Sequence, residues 1–96
     1  MVELTAPDTI VVGHPFTISF RSETRVSGRL RITAGTDAIS FVLDREDRPA
    51  EAATAHRVRG KTGTFVIRDW GDHPVGSELV VRFEGAKKWL TVGEVA

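Results

Sequence analysis

The sequence contains no cysteine, no excess of either charge and no uninterrupted apolar run longer than three residues. Without cysteine there is no disulfide framework, no thiolate nucleophile and no sulfur metal site, so stability must come from packing and backbone pairing. The longest apolar runs, such as Ile10-Val11-Val12 and Leu79-Val80-Val81, fall far short of the roughly 20 residues a membrane-spanning helix needs. No membrane partner is expected. Thirteen basic side chains balance thirteen acidic ones, with an isoelectric point near 6.8, which argues against a dedicated nucleic-acid protein. The opening residues carry no basic stretch followed by an apolar one. If Met1 is the native initiator, no signal peptide is expected and the location is cytoplasmic.

What is present is alternation. Ninety-six residues suffice for one hydrophobic core, so residues 1–96 read as a single domain. Phe16, Ile18 and Phe20 alternate with polar residues, as a half-buried strand requires. The same beat recurs over 29–33, 38–43, 64–68, 78–83 and 88–92, with two shorter extended segments at 2–5 and 9–12. Between the runs lie turn-forming clusters, among them Gly13-His14-Pro15, Ser27-Gly28, Lys61-Thr62-Gly63 and Glu84-Gly85. Short strands at this spacing predict an all-β fold, an antiparallel sandwich or small barrel. The alanine-rich and charged stretch 46–55 predicts either one helical turn from Pro49 or a solvated loop, and His56-Arg57-Val58-Arg59 a short edge strand. The expected core comprises Phe16, Ile18, Phe20, Leu30, Ile32, Ile39, Phe41, Phe65, Ile67, Leu79, Val81, Phe83, Leu90 and Val92.

The segment Leu4-Thr5-Ala6-Pro7-Asp8-Thr9-Ile10-Val11-Val12-Gly13 and the alternating run to Phe20 resemble the first two strands of bacterial and phage immunoglobulin-like domains. Pro7 interrupts an edge strand where no ladder donor is needed, which lets the chain change sheets there. The resemblance implies an immunoglobulin-like antiparallel β-sandwich of seven to nine strands. It also implies a non-enzymatic spacer, adhesive module or virion decoration, either cytoplasmic or virion-associated. The lack of a cysteine pair, a tyrosine corner and a tryptophan in the third strand argues against an antibody-type receptor domain.

Chemistry-bearing motifs are sparse. His14, His56 and His73 show no paired spacing for a metal, and no cofactor is expected. Asp72 beside His73 supplies an acid and a base, but Ser77 sits in an ordinary turn and no triad is built; a small hydrolase or metal enzyme is the lowest reading. Gly60-Lys61-Thr62 lacks the rest of a phosphate loop and reads as a hairpin turn. Asp44-Arg45-Glu46-Asp47 lacks the ligand spacing of a calcium loop.

Strand parity gives the stronger pointer. With Leu30 and Ile32 inward, Arg29 and Arg31 face out; with Leu79, Val81 and Phe83 inward, Arg82 and Glu84 face out; with Leu90 and Val92 inward, Trp89 faces out beside Lys87. If these three strands are neighbours, as an immunoglobulin-like topology has them, Arg29, Arg31, Arg82 and Trp89 share one exposed face. Arginine and tryptophan are the residue types that most often anchor interfaces. The alternative is that Arg82 and Glu84 pair across strands and Trp89 lies over an arginine stem. The leading expectation is a binding module that docks on a protein partner or in a homo-oligomeric assembly. A carbohydrate-binding module, with Trp89 and Trp70 as stacking platforms, is the second; Trp70 otherwise caps the end of the sandwich.

Overall fold

A computed structural model describes residues 1–45 and 48–95 of the chain. Among these residues there is no helix, and 66% lie in strands. The strands are β1 (Val2–Thr5), β2 (Thr9–Val11), β3 (Phe16–Ala34), β4 (Asp37–Ala38), β5 (Phe41–Asp44), β6 (Ala52–Ala53), β7 (His56–Arg68), β8 (Glu78–Phe83) and β9 (Ala86–Gly93). They make one curled, open sheet in the order β2-β9-β8-β3-β7-β5-β6, with β1 and β4 also laid against β3. The sheet is mixed rather than wholly antiparallel, because β2 runs parallel to β9. The proline break does what its chemistry suggests: β1 pairs with β3, and after Ala6-Pro7-Asp8 the chain crosses to pair β2 with β9.

Two predicted turns are not turns. Ser27-Gly28 and Lys61-Thr62-Gly63 both lie inside long strands, β3 and β7, which pair with each other from Phe16↔Ile67 to Leu30↔His56. The ladder breaks register between them. Arg21 pairs with Thr62 and Val26 with Gly60, so Ser22, Glu23, Thr24 and Arg25 face the single residue Lys61. Gly60, at φ 125°, takes a conformation that a side chain would oppose, and it sits where β7 resets its parity. On one side of the break Gly60 and Val58 are opposite inward residues of β3; on the other Gly63, Phe65 and Ile67 are. Such a bulge bends the strand. Bending is required, since 19 straight residues would span about 60 Å, against a longest molecular dimension of 38 Å.

Bent in this way, β3 serves both halves of the sheet. Its first part ladders with β1 and β7, and Arg31 to Ala34 ladder with β8. The core fills the space between: Phe16, Ile18, Phe20, Leu30, Ile32, Phe41, Ile67, Leu79, Val81, Phe83, Leu90 and Val92 are buried as the alternation predicts. Ile39 and Phe65 are only partly buried, and Ile10, Leu43, Val58 and Trp70 join the core. Val58 escapes a reading of its neighbours because Arg57 and Arg59 on either side are exposed.

His56–Arg59 belongs to β7 rather than to a separate strand, although the edge of β7 facing β5 has no ladder partner from His56 to Phe65 among the described residues. No helical turn forms at Pro49. Ala52 and Ala53 instead pair with Val42 and Phe41, and Glu46 and Asp47 of the predicted segment lie outside the described residues.

Candidate docking face

The outer face is fixed by a tight hairpin. Phe83 pairs with Ala86, leaving Glu84 and Gly85 as a two-residue turn with φ of 49° and 82°. Positive φ at both central positions defines a type I′ turn, the connection whose twist matches antiparallel strands. No register shift interrupts the β8–β9 ladder, so every residue from Glu78 to Phe83 has a defined partner on β9.

That register puts cations in a row. Arg31 lies directly opposite Arg82, and Arg82 directly opposite Lys87, across β3, β8 and β9. One step along, Thr33, Val80 and Trp89 form the next row on the same face. Trp89 is 53% exposed, so the indole faces outward as predicted. Arg29, two residues before Arg31, lies opposite Arg57 of β7. The four sequence-predicted residues therefore do share one face, and two further cations join them.

Like charges directly opposite on a sheet destabilise by roughly 0.2–1 kcal/mol per pair, and three such pairs occur here. Cross-strand pairing does not offset them. Arg29, Arg31, Arg57, Arg82 and Lys87 make no ion pair within 4 Å among the described residues; the ion pairs there are lie elsewhere, Asp44 and Asp69 with Arg68, Asp8 with Lys88 and Glu3 with Arg21. The hydrogen bonds the cations do make go to hydroxyls. Arg82 Nε donates to Thr33 Oγ1 at 3.1 Å, and Arg57 Nη1 to Ser27 Oγ at 3.4 Å. No cation stacks on Trp89 among the described residues; the arginine-over-ring contact is that of Arg45 with Phe65.

Arg29, Arg31, Arg57, Arg82 and Lys87 line an open groove of about 470 Å³ beneath the β8–β9 turn. Its one acid is Glu84. The Glu84 side chain folds over Gly28 so closely that a Cβ on Gly28 would overlap its carboxylate, with Glu84 Cγ 2.7 Å away. Gly28 is thus a seat rather than a turn. Glu84 reaches it from left-handed backbone, a conformation that costs a side chain about 1–2 kcal/mol and that Asn, Asp or Gly would ordinarily occupy in this turn.

The other chemistry-bearing residues are dispersed. His56 Nε2 donates to the Phe41 carbonyl at 2.8 Å, and His73 Nε2 to the Trp70 carbonyl at 3.1 Å, since a ring nitrogen facing a carbonyl must carry the proton. The His73 ring also stacks on Trp70, at 5.8 Å between centroids. No group of three or more His, Asp or Glu side chains that could hold a metal occurs among the described residues. Gly60-Lys61-Thr62 lies within β7. Arg68 Nε donates to both oxygens of Asp44, at 3.1 and 2.8 Å, and this contact raises the arginine above its already high ordinary pKa. Of the acids in the predicted cluster, Asp44 pairs with Arg68, and Glu46 and Asp47 lie outside the described residues.

Trp70 is 3% exposed, donates Nε1 to the His14 carbonyl at 3.0 Å and meets Phe16 edge-on at 5.8 Å. It is a cap on the core and cannot offer a stacking platform to a sugar, which leaves Trp89 as the exposed indole. No helix among the described residues is long and apolar enough to cross a membrane.

Arg57 and the seating of Glu84 on Gly28 escape the sequence reading. Arg57 lies far from Arg29 in sequence, and Ser27-Gly28 has the composition of a turn; only the ladder between β3 and β7 brings them together. Comparison with protein-family models, with curated proteins and with solved structures found no match to this chain.

Proposed function

We propose that the chain is a non-enzymatic, immunoglobulin-like binding module that docks on a larger protein assembly, such as a virion, through Arg29, Arg31, Arg82 and Trp89. The observation that carries this reading is the row Arg31–Arg82–Lys87, three cations abreast without an ionic partner among the described residues, next to a half-exposed tryptophan. A folded domain bears that repulsion at the expense of its own stability. A partner surface that supplies the missing anions and covers the indole would relieve it, with Trp89 and the arginines as anchors.

The immunoglobulin-like assignment draws on connectivity. The group β1-β3-β7-β5 and the group β3-β8-β9 follow the order of the two sheets of that fold, and the chain changes groups between β1 and β2 as an immunoglobulin-like first strand does. The departure is β3, one unbroken strand where that fold has two.

The test is comparative capture followed by measurement. The wild-type chain and an Arg31→Ala/Trp89→Ala variant are used to isolate partners, and binding of the identified protein is then titrated by calorimetry. Loss of binding with a melting temperature within a degree or two of wild type supports the reading. Undiminished binding by the variant refutes it. Native mass spectrometry of the chain alone separates a homo-oligomer from a monomer that needs another protein.

A further inference from the structure

Strand alternation carries the cationic face beyond the row of Arg31, Arg82 and Lys87. On β3, Ser27, Arg29, Arg31 and Thr33 point outward two residues apart, and each has a cross-strand neighbour on the same face. Arg59 lies opposite Ser27, Arg57 opposite Arg29, Arg82 opposite Arg31 and Val80 opposite Thr33. Lys87 and Trp89 continue the last two rows onto β9. Three consecutive rows therefore carry six cations, and the fourth carries the exposed indole. The rows follow the strand repeat and stand about 6.7 Å apart. None of the six cations makes an ion pair within 4 Å among the described residues. Two of them lean onto hydroxyls of the same face, Arg57 onto Ser27 and Arg82 onto Thr33, which orients them and leaves their charge unanswered. The groove's acid, Glu84, is turned onto Gly28, which alternates inward with buried Leu30. One row past Trp89 the sign reverses, because Glu78, opposite Thr91, is exposed on the same parity as Val80 and Arg82.

We infer that this face recognises an extended acidic segment of the partner, with carboxylates at three alternate positions over the three cationic rows and an apolar residue at the next alternate position against Trp89. This deepens the docking reading and rests on it, and it names the partner's chemistry. An extended polypeptide repeats its same-face side chains every two residues with the rise of β3 itself, so carboxylates at alternate positions fall into register with the rows. Guanidinium groups, five of the six cations, suit carboxylates because their N–H donors form a planar fork. Glu78 sets the far limit, since a fourth acid would meet a like charge there. A single-stranded nucleic acid fits less well. Its bases stack on aromatic side chains set along a cationic track, whereas here three cationic rows follow one another with no aromatic among them. The neutral whole-chain charge also withholds the long-range field that draws a polyanion.

The test compares two peptides of one composition, both ending on leucine, titrated at low salt by calorimetry. In one, three glutamates alternate with threonines; in the other, the glutamates are contiguous. The alternating peptide is expected to bind the wild-type chain roughly threefold tighter or more, and its affinity should fall as salt screens the interaction. Equal binding, a preference for the contiguous peptide or no binding of either overturns the proposal. Arg57→Thr/Arg59→Thr removes two cations outside the docking quartet and keeps strand-forming residues in their place. It should weaken the alternating peptide roughly three- to tenfold, with melting by circular dichroism unchanged; undiminished binding overturns the proposal. The comparison of peptides on the wild-type chain needs no variant and decides alone if the double variant is unstable. A wild-type preference for single-stranded oligothymidylate over the alternating peptide also overturns it. None of these failures touches the docking reading, which stands or falls on capture by the Arg31/Trp89 variant.

Discussion

Gly63→Ala is expected to destabilise the fold by overpacking, for a reason visible in one cross-strand pair. Gly63 lies opposite Phe20 in the β3–β7 ladder. A Cβ there would come within 2.6 Å of Phe20 Cε1, 2.7 Å of Phe65 Cζ and 2.8 Å of Phe65 Cε2. The Phe20 and Phe65 rings stack at 6.3 Å, and Phe20 also meets Phe83 edge-on at 4.9 Å, so Phe20 has nowhere to retreat and the adjustment falls on half-buried Phe65. Overpacking of this kind costs about 1–3 kcal/mol. Replacing glycine also restricts the unfolded chain, which returns about 0.4–1 kcal/mol where the backbone tolerates alanine. The net loss is about 1–2 kcal/mol, or a fall in melting temperature of roughly 5–15 °C for a domain of this size. Thermal unfolding followed by circular dichroism, with a urea titration alongside, measures it. The internal control is Gly28→Ala, whose Cβ meets only the movable end of Glu84 and should be nearly neutral. A second control is Phe65→Ala, which clears the space and should reduce the penalty of Gly63→Ala when the two are combined. If Gly63→Ala melts with the wild type, or Gly28→Ala falls as far, the packing argument is wrong.

The two tryptophans should behave oppositely: Trp70→Ala removes a buried ring and its hydrogen bond to His14, for a loss of about 3–5 kcal/mol, whereas Trp89→Ala should stay within about 0.5 kcal/mol, both read from denaturant midpoints. Glu84→Asn places the preferred residue in the type I′ turn and should raise stability by about 0.5–1 kcal/mol, seen as a higher urea midpoint at unchanged slope; a lower midpoint would show that Glu84 contributes more to the fold than its turn geometry removes. Asp8 accepts a hydrogen bond from Lys88 Nζ at 2.6 Å, and that bond, then the lysine's charge, hold its carboxyl below its ordinary value of 3.8. Because the folded value is the lower one, the contribution of this pair is present above pH 3.8 and lost as the pH falls through the depressed value. A carboxyl titration by NMR should place the Asp8 midpoint below 3.8, and Lys88→Met should return it there.

Much of this was readable from period-two alternation because that signal is local. Leu79, Val81, Phe83, Leu90 and Val92 face in, so Arg82 and Trp89 face out, and the two-residue turn at Glu84-Gly85 locks their relative register. The unread parts depend on distant pairing. Ser27-Gly28 has turn composition, yet Gly28 serves the side chain of Glu84 from another strand. Lys61-Thr62-Gly63 looks like a hairpin, yet it resets the parity of β7 opposite the extra residues of β3, which is why Val58 and Ile67 both reach the core from positions of opposite parity. Phe65 was expected in the core and is only partly covered, at the edge where the β5–β7 ladder stops. Arg57 could be assigned to the groove only once β7 was known to run beside β3.

The parallel pairing of β2 with β9 has a mechanical consequence. Once β1 has been released, tension drawn between the early and late parts of the chain enters through β2 and leaves through β9. In a parallel pair that pull acts along the strands in opposite senses, so the hydrogen bonds of Thr9–Val11 with Thr91–Gly93 are loaded together in shear instead of unzipping one at a time. The Thr91 amide bonded to the Asp8 carbonyl at 2.8 Å, and the Lys88 tie to the Asp8 side chain, reinforce the same spot. Under load the lifetime of the fold is set by the barrier to breaking this clamp rather than by its equilibrium stability.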